Sequence, residues 1–211
     1  MKVLLGTTNP SKVKRFSDML SGYDVEFLTL RDLEILDEPE EKGNTPEENA
    51  ANKARFYGQF FDKVICNDSG LYFDEIPLDD ERQPGLKIRS PGGVRLGDDE
   101  MIEYYSNLIR SLGGRVSAFY LDGIAVYNFG KVYSYMENNA YVRVSMFDMV
   151  DLPSEKRHPG WPLDSISISR KSGKYFVDKG ESDLDNEEEN VMVGEYRERL
   201  VSFLKTSLGI E

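Results

Sequence analysis

The chain has 211 residues, 39% hydrophobic and 30% charged, which is enough to bury one large domain or two closely packed lobes and excludes a disordered chain. Its net charge of −12, with a pI near 4.7, argues against duplex nucleic acid as a partner, because affinity for phosphate backbones comes from Lys and Arg. A local cluster of cations, or a metal, can still hold a small phosphorylated ligand within an acidic whole.

The opening MKVLLGTTNPSK turns polar too soon for a signal peptide, and residues 2–5 read as a short buried strand stopped at Gly6. A helix follows, with Asn9 at the N-cap, Pro10 at the first helical position and Val13, Phe16 and Leu20 on one face. Residues 23–31 alternate like a second strand, and the acidic stretch 37–44 reads as loop. Thr45 and Glu48 form a capping box, with Pro46 at the first position of a second helix that buries Ala50, Ala54, Tyr57 and Phe61. Residues 63–67 make another buried strand, ended by Asp68-Ser69-Gly70, so strands and helices alternate as in an α/β sheet.

The loop at 77–99 is rich in Pro, Gly and charge, and a helix over about 99–112 ends at Gly113-Gly114. Between 115 and 147, two runs rich in Val, Tyr and Phe are linked by Gly130 and read as antiparallel strands. The chain is taken as a single domain over 1–211, with about 115–150 as a candidate second lobe. The acidic run 180–189 reads as a solvated loop. A last helix over about 190–207 uses Val193, Tyr196, Leu200 and Phe203. The lone cysteine, Cys66, excludes an intrachain disulfide and suits a reducing compartment. The lone histidine, His158, excludes His-rich metal sites. No stretch nears the roughly 20 apolar residues of a membrane span, so a cytoplasmic protein without a membrane partner is expected.

Three segments carry residues suited to chemistry. Thr7-Thr8-Asn9-Pro10-Ser11-Lys12 joins a strand to a helix N-terminus, where backbone N–H groups, hydroxyls and a lysine favour an anion. The alternative is an ordinary capped turn, since the Gly-rich phosphate loop is absent. Glu40-Glu41 and Asp68 offer hard oxygen ligands of the kind magnesium takes together with substrate phosphate, and a carboxylate also serves as base for an attacking water. The alternative is solvated surface, given 38 acidic residues. Lys53 is either a surface lysine or a phosphate partner reaching across from its helix.

Taken in order, these segments resemble the inosine triphosphate pyrophosphatase family, the house-cleaning enzymes for deaminated purine nucleotides. Thr7-Thr8-Asn9-Pro10-Ser11-Lys12 resembles the family's Thr-Gly-Asn-x-x-Lys, with Thr8 at the Gly. Glu41-Lys42-Gly43-Asn44-Thr45, then Glu48-Asn49-Ala50 and Lys53-Ala54, resembles Glu-Thr-Gly-x-Thr-x-x-Glu-Asn-Ala-x-x-Lys-Ala. Asn67-Asp68-Ser69-Gly70-Leu71 with Asp74 resembles Asp-Asp-Ser-Gly-Leu-x-Val-Asp, and Pro84-Gly85 the Pro-Gly that follows. Gly160-Trp161-Pro162-Leu163-Asp164-Ser165-Ile166 is similar to a degraded Gly-Phe-Gly-Tyr-Asp-Pro-Ile. The family's terminal Lys and Ser-His-Arg, which help hold the purine, are missing, and Gly194-Glu195-Tyr196 falls in their place.

The resemblance implies a mixed α/β fold, a twisted sheet with flanking helices in two lobes around a central cleft, assembled as a homodimer. It implies magnesium-dependent attack of water at the α-phosphate of a nucleoside triphosphate, releasing pyrophosphate. On that basis Glu41 and Asp68 would hold Mg²⁺, and Asp68 would be the general base. Lys12 and Lys53 would neutralise the triphosphate, with Thr7, Thr8, Asn9 and Ser69 orienting it. Trp161 would stack on the base, and Asp164 falls in the same substrate-binding segment. Two alternatives stay open: a nucleotide-binding protein of this fold with little turnover, and a pyrophosphatase with a changed base preference.

Overall fold

The computed structural model of the chain describes residues 1–137, 142, 145–178 and 187–210. The fold is mixed α/β, on an open sheet of parallel and antiparallel strands. Two compact units divide the chain. The first is Met1–Ser69 with Leu121–Asn138 and Val191–Glu211, and the second is Gly70–Tyr120 with Asn139–Asn190. Two of the divisions, after Ser69 and after Tyr120, fall within long strands.

In the first unit, β1 (Lys2–Leu5) lies between β2 (Glu26–Thr29) and β3 (Lys63–Phe73), parallel to both. Parallel neighbours need crossovers, which α1 (Pro10–Met19) and α2 (Pro46–Tyr57) supply. Val3, Leu4 and Leu5 are fully buried, as both faces of a central parallel strand must be. The core here joins Leu4, Leu30, Ala50, Ala54, Val64, Cys66 and Ala125. β2 is shorter than the expected 23–31, because Asp32 folds back and accepts from the Thr29 N–H (2.8 Å) and hydroxyl (2.7 Å), turning the chain.

At the start of α2, Thr45 accepts from the Glu48 N–H at 3.1 Å, as the capping pattern requires. The Glu48 carboxylate reaches one residue further back than expected, to the Asn44 N–H (2.7 Å). β4 (Arg115–Asn128) turns into β5 (Lys131–Met136) through Phe129 and Gly130, whose φ values of 43° and 88° give the left-handed pair that a two-residue hairpin needs. The rest of the expected second run falls partly outside the described residues. α4 (Glu187–Leu208) buries Tyr196, Leu200, Leu204 and Leu208. Most of the acidic run expected as loop at 180–189 lies outside the described residues, and Glu187 to Glu189 belong to α4.

In the second unit, β4 pairs antiparallel with β6 (Phe147–Val150), and β6 with β7 (Ser167–Ile168). α3 (Asp98–Ser111) packs Met101, Ile102, Tyr105 and Ile109 against Leu71, Phe73, Val116, Phe147 and Met149. It stops before Gly113 and Gly114, both at positive φ.

One expectation is corrected here. β3 does not end at Asp68-Ser69-Gly70 but runs through them to Phe73. Asp, Ser and Gly favour turns when nothing else satisfies them. Here the Asp68 carboxylate is held by side chains of α2, and the Ser69 hydroxyl donates to Asp122 of β4. Tertiary partners override the local turn signal.

Candidate active site

The site is built from the first unit. β1 ends at Leu5, and Gly6 donates its N–H to the Ile65 carbonyl (2.9 Å), the last link between β1 and β3. A Cβ on Gly6 would collide with the Cys66 sulfur and the Tyr57 ring, so this crossing requires glycine. The chain then leaves the sheet as Thr7-Thr8-Asn9. The Asn9 N–H bonds to the Thr7 hydroxyl at 3.1 Å, and the Asn9 carbonyl accepts from Val13 N–H to open α1. Thr7 and Asn9 are half-buried and Thr8 is exposed. One turn on, Lys12 Nζ reaches the Asn67 carbonyl of β3 at 3.4 Å. The end of β1 is where ligands lie in open α/β sheets.

Asp68 is buried in β3 and fully engaged: Oδ1 faces Lys53 Nζ at 2.9 Å, and Oδ2 accepts from Asn49 Nδ2 at 2.9 Å. Asn49 and Lys53 stand four residues apart on α2, hence on one face. Lys53 is no surface lysine; its side chain is 17% exposed, and Nζ also meets Glu41 Oε1 at 2.5 Å. Glu41 comes from the loop before α2, where Gly43 is pinned by Asn49 Oδ1 accepting its N–H (2.7 Å). Glu40, its neighbour, turns instead to Lys42.

Burial pushes the Lys53 ammonium down, but Asp68 and Glu41 outweigh it and hold it above the ordinary lysine range. Lys12 goes the other way. Desolvation lowers it, the positive charges of Lys53 and Arg15 add to that, and the pull of Asp68 and Asp122 does not restore it. The fold thus holds one lysine satisfied and a second at a disadvantage while it is charged. An anion arriving at Lys12 would relieve that disadvantage.

A second cluster was not marked as a site in the sequence. Asp122 of β4 accepts from the Ser69 hydroxyl at 2.5 Å through Oδ1 and pairs with Arg15 at 2.6 Å through Oδ2. Arg15 also donates to the Tyr196 hydroxyl at 2.8 Å, and Asn67 Nδ2 lies 3.4 Å from Asp122 Oδ1. Burial works against the Arg15 charge, yet Asp122 and Tyr196 more than compensate. The signals were present: a charged residue inside the apolar strand Leu121–Val126, and Arg15 three positions after Lys12 on the same helical face.

Trp161 and Asp164 belong to the second unit. Trp161 is 42% exposed and precedes a single 3₁₀ turn, Pro162–Ser165. His158 Nδ1 lies 3.0 Å from Asp164 Oδ2, and the His158 and Trp161 rings stand 6.2 Å apart. Pro84-Gly85 closes onto β3 through paired backbone bonds with Leu71.

The Ham1 family pattern matches residues 3–131, more than half the chain, and takes in every one of these first-unit residues except Tyr196. The chain belongs to the Ham1 family. It is 40% identical over 87 residues to a dITP/XTP pyrophosphatase of Thermoanaerobacter pseudethanolicus, covering 41% of this chain and 42% of that protein. To the dITP/XTP pyrophosphatase of Bacillus subtilis it is 36% identical over 105 residues, covering 48% of this chain and 50% of that protein. The matched stretch therefore spans about half the length of these curated relatives or less.

Solved structures extend the likeness of fold over nearly all of this Ham1 chain. A HAM1 protein from Coxiella burnetii superposes with a TM-score of 0.70 at 21% identity, covering 98% of this chain and 99% of that one. A dITP/XTP pyrophosphatase from Mycobacterium abscessus gives 0.69 at 20% identity, covering 95% and 98%.

Magnesium is the metal the family resemblance implies. Among the described residues, no group of three or more His, Cys, Asp or Glu is gathered to hold a metal by protein ligands alone. Magnesium rarely asks for that, taking one or two carboxylates plus substrate phosphate and water. Glu41 and Asp68 meet the requirement, since their oxygens are held close together on a single lysine nitrogen.

Proposed function

We propose that the chain is a Mg²⁺-dependent hydrolase of non-standard purine nucleoside triphosphates, releasing monophosphate and pyrophosphate. The observation that carries the reading is the convergence of Glu41, Lys53 and Asp68 on one point beside Lys12, in a Ham1-family chain. The relatives named dITP/XTP pyrophosphatase supply the substrate class.

In this reading Lys12 and Lys53 take up triphosphate charge, with Thr7, Thr8 and Asn9 orienting it at the open end of β1. When the phosphate draws Lys53 away, Asp68 Oδ1 is released to accept a proton. Water oxygen bonds to the α-phosphorus, the bond from that phosphorus to the bridging oxygen breaks, and pyrophosphate leaves with the electron pair while Asp68 takes the proton. Glu41 and Asp68 would hold Mg²⁺, which supplies neutralisation of charge on the phosphates. Trp161 and Asp164 are assigned to substrate on the resemblance, and the protein to a cytoplasmic homodimer on the same ground. Cys66 is buried, and burial pushes its thiol up to about 12, which holds it protonated and unreactive.

A changed base preference is the second reading, and one observation favours it. Tyr196, standing where the resemblance places Ser-His-Arg, is engaged by Arg15. Pyrophosphate release measured over a panel of nucleoside triphosphates with Mg²⁺ separates the readings. Turnover of dITP or XTP well above the standard nucleotides supports the first, and a different optimum supports the second. Binding without release would leave a nucleotide-binding protein.

A further inference from the structure

Asn49 is almost wholly buried near the start of α2, and both ends of its amide are engaged. Nδ2 donates to Asp68 Oδ2 of β3 at 2.9 Å, and Oδ1 accepts the N–H of Gly43 at 2.7 Å. Asparagine is a poor residue for a helix interior, and a buried amide costs stability unless its bonds are made. Here they run to the two segments that carry the carboxylates of the site. One is Asp68 itself, and the other is the loop two residues beyond Glu41.

The loop side of this link is closely fitted. A Cβ on Gly43 would strike Asn49 Oδ1 at 2.6 Å, the Asn49 backbone nitrogen at 2.8 Å and Glu48 Cβ at 2.8 Å, so glycine is what lets the loop come this near the helix. The strand side fixes Asp68. With Oδ2 on the Asn49 amide, Oδ1 is the oxygen turned to Lys53, whose nitrogen also holds Glu41. Lys53 is thus a charged link between the two carboxylates, and in the reading above the triphosphate draws it away. Asn49 is a second, neutral link, and its burial keeps it in place when Lys53 leaves.

Mg²⁺ demands near-ideal octahedral geometry, with oxygens at about 2.0–2.1 Å, so a carboxylate on a loop has to be set closely against one on a strand. Resting on the pyrophosphatase reading above, we propose that Asn49 is the positioning residue of the metal site: its amide sets the Glu41 loop against Asp68 and keeps the two carboxylates spaced for one divalent cation. Asn49 itself touches neither metal nor substrate. It acts on Glu41 through Gly43, and on Asp68 directly by fixing the plane of the carboxylate.

The test breaks the link from each side. Gly43→Ala displaces the loop and leaves the bond from Asn49 to Asp68, whereas Asn49→Ala removes both bonds. Each should raise the Mg²⁺ concentration for half-maximal pyrophosphate release about tenfold, the usual effect of losing a partner behind a metal ligand. At saturating Mg²⁺, Gly43→Ala should keep kcat within about threefold of wild type. Because Gly43 acts only through Glu41, Gly43→Ala combined with Glu41→Gln should need no more Mg²⁺ than Glu41→Gln alone. In metal-free protein, amide hydrogen exchange at Gly43 should be slow in wild type and about tenfold or more faster in Asn49→Ala, with the α2 amides still protected. An unchanged Mg²⁺ requirement in folded Gly43→Ala, effects of Gly43→Ala and Glu41→Gln that multiply, or a Gly43 amide that exchanges freely in wild type would each overturn the proposal. If Asn49→Ala does not fold, Gly43→Ala decides alone. Unfolding of both would make the link a support of the fold and overturn the metal role. Wild-type protein that releases no pyrophosphate fails the functional reading, and the proposal with it. Wild type that releases it, with variants that need no more Mg²⁺, fails only the role of Asn49.

Discussion

Asp68 and Lys12 are held in opposite senses, and substitution should separate them. Asp68→Asn keeps the size and can still accept from Asn49. It leaves Lys53 a counter-ion in Glu41 at 2.5 Å, so no buried charge is stranded. The variant should melt close to wild type yet lose about a hundredfold or more in pyrophosphate release, the typical worth of a positioned base. A rate within a few-fold of wild type would remove Asp68 from the chemistry.

Lys12 has its ammonium lowered by desolvation first and then by neighbouring cations, so its charged form is less well accommodated in the fold than in the unfolded chain. The sign follows: the unfolded chain binds the proton more tightly, so charged Lys12 detracts from stability at neutral pH, and that loss fades as pH rises through its lowered value. Lys53, raised by Asp68 and Glu41 against burial, contributes in the opposite sense. Its contribution is complete below the ordinary lysine value and lost as pH rises through the raised one. Lys12→Met should therefore raise Tm near pH 7, by less near pH 10, while slowing pyrophosphate release at least about tenfold. A Tm that falls at pH 7 would show that Lys12 is already well satisfied.

What aims these side chains is the seating of α2 on the sheet. Gly123 of β4 lies against the first turn of α2, where an added Cβ would strike the backbone of Pro46 and Glu47. Backbone cannot swing aside as a flexible side chain can, so Gly123→Ala should displace α2, and with it Asn49 and Lys53. Overpacking of this kind is worth about 1–3 kcal/mol. Urea unfolding should show that loss, and turnover should fall further than the lost stability explains. Unchanged turnover would mean that Asp68 is positioned without α2.

The same packing separates what was legible in the sequence from what was not. Local rules announced α2, because Thr45, Pro46 and Glu48 act within one turn. They announced the β4–β5 hairpin through Gly130 as well. They misread β3, because Asp68-Ser69-Gly70 looks like a turn until Asn49, Lys53 and Asp122, distant in sequence, satisfy it. Glu41, Lys53 and Asp68 were found as residue types in a recurring order. Asp122 is not legible in this way, because a lone acid in a strand has no partner visible along the chain and its partners Ser69 and Arg15 lie far off in sequence.

On the proposed function, charge across the chain decides how a triphosphate is held. The protein carries a net −12, so its long-range field opposes a polyanion. Locally, Glu41, Asp68 and Asp122 already face Lys53, Lys12 and Arg15, and the closest of these pairs are satisfied within the protein. A triphosphate that enters this balance brings several negative charges, and in the proposed reading Lys12 and Lys53 take them up. Lys53 can serve it only by leaving Glu41 and Asp68, which then become two uncompensated carboxylates close together. A divalent cation resolves both problems, since it takes those carboxylates as ligands and neutralises phosphate oxygens at once. Pyrophosphate release should therefore vanish in excess chelator and return on adding Mg²⁺. Glu41→Gln should raise the Mg²⁺ concentration needed for half-maximal rate while leaving the fold intact, because its side chain is about half exposed. Raising salt should not substitute for Mg²⁺, since monovalent ions screen the field without bridging carboxylate to phosphate. Full turnover in chelator, or restoration by NaCl alone, would mean that Lys12 and Lys53 carry the phosphates unaided and that Glu41 serves only to hold Lys53.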